Sequence, residues 1–236
     1  MNKKFKLLTI IFLILITVIT TCFVLYHNCI IPYQKKLEQE ILVNVYIKRK
    51  LQLYEEENNK YNQFDVDVVF LGDSLTDGCD LSKYYPEYIT LNRGIGGDTT
   101  KRLEERLEVS VFAVQPKVVV MLIGGNNLND MFDNYETIVI KLKENLPNTK
   151  IVLVSLTAMG KDWKHKNEIA IKNNVRISEI AEKHTCYFID VFSELYDSKT
   201  SEIYSDYTID GAHLTDKGYV VLTNKIKETL NILLNK

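Results

Sequence analysis

Val66-Asp67-Val68-Val69-Phe70-Leu71-Gly72-Asp73-Ser74-Leu75-Thr76-Asp77 sets a β-rich apolar run directly against a glycine turn that carries a hydroxyl. A short, nearly continuous apolar run ending at a glycine is the pattern of a strand buried on both faces, as in parallel sheets covered by helices. Downstream the theme repeats. Strand candidates fall at 66–71, 89–91, 117–123, 150–156 and 186–191, with helical patterns at 99–109, 135–146, 167–184 and 216–234. Leu103 and Leu107, Ile138 and Leu142, then Leu222, Ile226 and Leu230 recur at the spacing that makes one apolar helix face. The alternation predicts an α/β domain, a three-layer α/β/α sandwich whose five parallel strands are joined by right-handed helical crossovers.

Upstream, residues 7–26 carry no charge. That is about the twenty residues an α-helix needs to cross the hydrocarbon core. Lys3, Lys4 and Lys6 precede the run, which predicts a cytoplasmic tail at 1–6, a single-pass transmembrane signal anchor at 7–26 and an extracytoplasmic globular domain at the cell membrane. Lys35 and Lys36 on the far side weigh against that orientation. Two rivals stay open, a cleaved signal of a secreted protein and a lipoprotein signal at Ile19-Thr20-Thr21-Cys22. No small-x-small site follows, Thr21 stands where a smaller residue is usual, and the apolar run continues through Phe23, Val24 and Leu25, so the uncleaved anchor is favoured. Pro32 should break the pattern. Residues 34–61 then read as a charged helix with Leu37, Ile41, Val45 and Leu51 on one face. Hence 27–63 is a stalk or flanking helix and 64–236 the globular domain.

With 236 residues, 46% apolar and 25% charged, the chain has room for one well-buried domain and an appendage. Its net charge of −2 supplies no basic field, so no nucleic-acid partner is expected. Cys22, Cys29, Cys79 and Cys186 form no CxxC pair and no metal-ligand spacing, and neither a metal nor another cofactor is expected. A Cys79–Cys186 disulfide and the oligomeric state stay open.

The chemistry-bearing residues fall at strand ends, where open parallel sheets bind ligands. Ser74 follows the first strand, though a Gly-Asp-Ser turn also makes an ordinary helix cap. Asn92-Arg93-Gly94-Ile95-Gly96-Gly97-Asp98-Thr99-Thr100 follows the second; its glycines let backbone N–H groups approach developing negative charge, and it lacks the lysine of a P-loop. Gly124-Gly125-Asn126-Asn127 follows the third, and a side-chain amide there can donate to an oxyanion. In Asp210-Gly211-Ala212-His213, the spacing lets the carboxylate orient the imidazole within one turn. Each block has a bland turn reading alone. Their joint placement is the stronger signal.

The four blocks, in this order over 66–219, resemble the SGNH/GDSL hydrolase family, and Gly-Ile-Gly-Gly-Asp-Thr-Thr with Asn126-Asn127 looks like its platelet-activating-factor acetylhydrolase-like branch. The resemblance implies a flavodoxin-like sheet and a serine esterase or lipase working through an acyl-enzyme. It assigns Ser74 as nucleophile, His213 as general base and Asp210 as its partner. It implies an oxyanion hole of Ser74 N–H, Gly97 N–H and the Asn126 side chain. The family's third block usually reads Gly-x-Asn-Asp, and Asn127 departs from it while leaving Asn126 intact.

Trp163 and His165 follow the fourth strand and are candidate substrate contacts, since loops at this end of a sheet carry function. The substrate class implied is a carboxylic ester of a lipid or of an acylated glycan, with the membrane as a further partner through the N-terminal helix. Two rivals remain. One is a catalytically silent lipid- or glycan-binding module, against which the complete residue set argues. The other is a metal-dependent phosphoesterase using Asp73, Asp77, Asp210 and His213.

Overall fold

A computed structural model describes residues 2–235. The chain forms two compact units, residues 1–50 and 51–236. The first is helical: α1 (Lys3–Leu25) runs through a π-helical segment (Tyr26–Ile30) into α2 (Ile31–Asn58). Its stretch from Leu7 to Ile30 is exposed throughout, and the helix is long and apolar enough to cross a membrane. Pro32 does not break it. Proline removes an N–H and crowds the preceding carbonyls, and the wider π turn, with the Ile31 N–H bonded back to the Tyr26 carbonyl, lets the helix pass that point.

The second unit holds the last turns of α2 and an α/β sandwich. In chain order it comprises β1 (Val68–Gly72), α3 (Ser74–Asp77), α4 (Leu81–Tyr84), β2 (Thr90–Gly94), α5 (Thr100–Glu105), β3 (Val118–Leu122), α6 (Tyr135–Asn145), β4 (Lys150–Val154), α7 (Asn167–Lys183), β5 (Tyr187–Ile189), α8 (Phe192–Leu195) and α9 (Asp216–Leu234). A small antiparallel pair, β6 (Tyr196–Asp197) and β7 (Glu202–Ile203), precedes α9. The main sheet is parallel throughout in the order β2-β1-β3-β4-β5. That is the flavodoxin-like order, with its switch point between β1 and β3. Every residue of β1 and β3 is buried, so helices cover both faces. The core joins Val68, Leu71, Val120 and Met121 of these strands to Leu103, Ile138, Leu142, Ile177, Leu222 and Leu230 of the surrounding helices.

The end of α2 is not solvated. Tyr54 is 2% exposed and its hydroxyl donates to the Gly94 carbonyl at 2.6 Å, at the end of β2. Arg93 of β2, with no exposed surface, lies 4.5 Å from the Tyr54 ring centroid, pairs with Glu57 and donates to Asn58 Oδ1 at 2.9 Å. Asn58 Nδ2 in turn reaches the Val109 carbonyl at 2.7 Å. Cys79 and Cys186 are free thiols, and burial pushes the Cys79 thiol up to about 12, which suits packing rather than nucleophilic work.

Candidate active site

The β1 strand ends at Gly72, where a Cβ would sit 2.4 Å from the Leu122 carbonyl oxygen of β3, so the turn requires glycine. Asp73 then caps α3, accepting the Leu75 N–H at 3.1 Å, and Ser74 becomes the first residue of the helix, half-buried at the switch point. Gly97 adopts φ +72° in the turn after β2. Among the described residues neither the Ser74 nor the Gly97 N–H donates a hydrogen bond, which leaves both for a ligand.

His213 stands on the loop before α9, which Thr215 caps through the Gly218 N–H at 3.3 Å. Thr208 fixes the loop by donating to the His213 carbonyl at 2.9 Å and accepting the Gly211 N–H at 2.8 Å. Asp210 Oδ1 accepts the N–H groups of His213 and Ala212 at 2.8 and 2.9 Å, and Oδ2 faces His213 Nδ1 at 2.7 Å. These bonds, the His213 backbone N–H foremost, hold the Asp210 carboxyl well below the usual carboxylate range. An ionised Asp210 facing Nδ1 favours the tautomer whose Nε2 is free to accept a proton. That nitrogen lies 3.2 Å from Ser74 Oγ. The three side chains, 139 residues apart at their extremes, thus form one hydrogen-bonded chain.

Asn126, beyond β3, places its amide nitrogen 2.8 Å from the Asp98 carbonyl and 3.4 Å from Asp73 Oδ2. Asn127, at the departure from the usual motif, bridges to α5: its Oδ1 accepts the Thr100 N–H at 3.3 Å and its Nδ2 donates to Thr100 Oγ1 at 2.9 Å. An amide can serve as donor and acceptor at once, which an ionised aspartate cannot.

Beneath these groups lies a buried frame that the motif reading did not single out. Arg106, 5% exposed, donates to the Asp98 carboxylate at 2.8 Å, to Ser110 Oγ at 2.8 Å and to the Gly72 carbonyl at 3.1 Å, and Arg102 closes on Asp98 at 3.3 Å. Its one sequence signal is the four-residue spacing of Asp98, Arg102 and Arg106 along a helix face. Asp73 lacks such a cation. Burial, with Asp98 adding to it, pushes its carboxyl from 3.8 up to about 7.

A folded-state pKa above the unfolded one means that Asp73 contributes most to stability below its unfolded value, and that this is lost as the pH rises through about 7. Asp73→Asn, which cannot ionise, should therefore gain on the wild type between pH 4 and 8. Roughly three pH units at about 1.4 kcal/mol each put the gain on the order of 4 kcal/mol. Melting curves at the two pH values test this, and an unchanged gap between variant and wild type would rule it out.

Ser74, His213 and Asn126 border a cleft of about 280 Å³ whose walls add Leu75, Met159, Trp163, Lys166 and Ala212. Trp163 lines it. His165 does not, its Nδ1 lying 2.8 Å from the Asp162 carbonyl instead. Asp210 stands behind His213, outside the lining, and Gly97 is likewise not part of the wall. Asp73, Asp77, Asp210 and His213 do not assemble a metal-holding group among the described residues.

Residues 70–221 match the model of the GDSL-like lipase/acylhydrolase family. Over 185 residues the chain is 27% identical to human (Homo sapiens) platelet-activating factor acetylhydrolase IB subunit alpha2, covering 72% of this chain and 78% of that one. A solved GDSL-like lipase from Bacteroides thetaiotaomicron superposes with a TM-score of 0.68 at 23% identity, over 77% of this chain and 97% of that one. An acetylxylan esterase catalytic mutant from Geobacillus stearothermophilus gives 0.59 at 18%, over 71% and 95%. These two share the fold.

Proposed function

The chain belongs to the GDSL-like lipase/acylhydrolase family, and from that premise we propose that it is a serine esterase for short acyl groups, acting through an acyl-enzyme. The observation that carries the reading is the chain Asp210 Oδ2 to His213 Nδ1 at 2.7 Å and His213 Nε2 to Ser74 Oγ at 3.2 Å, opening on a cleft. His213 takes the Ser74 proton as Oγ attacks the ester carbonyl, and Asp210 steadies the imidazolium that forms. The alcohol leaves with that proton. Water, deprotonated by the same imidazole, then releases the carboxylic acid and restores the serine.

Negative charge on the tetrahedral oxygen is met by the Ser74 and Gly97 N–H groups and by Asn126 Nδ2, which the Asp98 carbonyl orients at 2.8 Å and whose second hydrogen exchanges its long 3.4 Å contact with Asp73 for the oxyanion. Asn126→Ala should lower kcat about a hundredfold, or about 3 kcal/mol of barrier, with a smaller change in KM. A variant with full kcat would remove Asn126 from the oxyanion hole.

Cleft size supports the short acyl group: 280 Å³ lies at the small end of the roughly 300–1,000 Å³ usual for small-molecule sites. In this reading 7–26 anchors the protein in the cell membrane, 27–63 connects and 64–236 catalyses, with lipid or acylated-glycan esters as substrates. Hydrolysis of p-nitrophenyl esters by alkali-washed membranes tests both claims. Acetate and butyrate should exceed palmitate in kcat/KM by about tenfold or more, since methylenes that cannot enter the cleft contribute little. A palmitate preference would sink the short-acyl reading, and activity found only in the wash would sink the anchor.

A further inference from the structure

Lys166 is the one cleft-lining side chain with a permanent charge that the proposed mechanism leaves unused. It ends the 3-10 turn Lys161–Lys166 and is half-buried. Its neighbours in the same turn are engaged: Lys161 donates to the Ile209 carbonyl at 2.6 Å and Lys164 pairs with Glu202 at 3.0 Å. Lys166 has neither a hydrogen bond nor an ion pair among the described residues. Its ammonium rests 4.4 Å from the centroid of the Trp163 ring, a contact that orients a cation without neutralising it.

The carboxyl groups nearby do not fill this role. Asp210 is spent on His213 and lies outside the wall. Asp73 lines the floor, but burial pushes it up to about 7, and Lys166 is not among the groups that act on it. Glu202 is taken by Lys164. The cleft therefore presents an oriented positive charge with no counter-ion among the described residues.

We propose that Lys166, steadied by Trp163, binds an anionic group on the alcohol side of the substrate, so that the preferred substrates are short-chain acyl esters of an alcohol bearing a phosphate or a carboxylate. The alcohol side follows from placement. Trp163 is 41% exposed on the cleft wall, and the leaving alcohol is the part of the ester that must return to solvent. This rests on the serine-esterase reading above.

The test compares acetate release by the full-length protein from three acetyl esters: 2-acetoxyethyl phosphate, 3-acetoxypropanoate and the neutral 2-methoxyethyl acetate. In the wild type, kcat/KM for at least one anionic ester should exceed the neutral one by about tenfold or more, and which anion gains tells phosphate from carboxylate. Lys166→Met should bring that ratio close to one, mostly through KM, and Lys166→Glu should invert it. Lys166→Arg should keep most of it, as should Lys164→Met, whose ammonium is paired away from the cleft. Ratios within one variant cancel losses of folded protein. A ratio that Lys166→Met leaves at the wild-type value, or a wild type that prefers the neutral ester, overturns the charge role while serine-dependent turnover keeps the esterase. Turnover of none of the three by folded protein overturns both.

Discussion

Replacing Ser74 by alanine should abolish ester turnover, with kcat falling by roughly 10⁴ to 10⁶, while the melting temperature stays within a few degrees of the wild type. The size follows from how such a hydrogen-bonded chain works: without the nucleophile no acyl-enzyme forms, and what remains is the stabilisation by the oxyanion donors, typically 10³ to 10⁴ over water. Ser74 is half-buried at the start of α3, and Asp73 rather than its own side chain caps that helix. Loss of the hydroxyl should thus cost little stability. A fluorophosphonate probe should label the wild type at Ser74 and leave the alanine variant unlabelled. Retained turnover in Ser74→Ala would move the nucleophile elsewhere, and labelling without turnover would point to a narrow natural substrate.

A chain shortened to begin at Asn62 should lose stability heavily against one that begins at Leu51, although both lack the apolar helix. The first cut removes Tyr54, Glu57 and Asn58, which together enclose the fully buried guanidinium of Arg93. Leaving a buried charge without partners costs about 3–5 kcal/mol, and the lower end applies here because the vacated groove admits water. About 3 kcal/mol is a large part of the 5–15 kcal/mol that holds a typical domain. It corresponds to a melting temperature roughly 10 °C lower for a unit of this size. Adding Arg93→Met to the shorter chain should recover part of the loss, since an apolar side chain needs no counter-ion there. Equal melting temperatures for the two chains would show that α2 contributes nothing to the sheet.

The consequence reaches the site. Tyr54 holds the Gly94 carbonyl, and Gly94 leads through Ile95 and Gly96 to Gly97. The charged appearance of α2 hid this, because its alternating charges match a solvated helix and only one turn departs from that pattern. Tyr54, Glu57 and Asn58 carry no periodic apolar signal. Their partner Arg93 lies 36 residues from Glu57.

The catalytic candidates were far more legible. Ser74 and Asn126 sit in short blocks just past β1 and β3, whose ends the topology gathers at one edge of the parallel sheet, and Asp210 and His213 share one short block on the loop before α9. The departure at Asn127 could be seen but not explained from sequence, because its partner Thr100 belongs to another block. Likewise the Pro32 break was a sound local inference that a π turn absorbed, since a shift in hydrogen-bond register leaves no mark in composition.

Sequence alone determined the α/β alternation, the apolar N-terminal helix and the four chemistry-bearing blocks, because each is written in periodicity or spacing over a few residues, where local sterics and hydrogen bonding decide. Tertiary structure alone decided which charges are buried and with what partners: Arg93 with Glu57, Arg106 with Asp98, Asp73 with no ion pair among the described residues, and Lys166 open to the cleft. The cost or use of a charge depends on the water it loses and the groups it meets, and both are properties of residues brought together from distant parts of the chain.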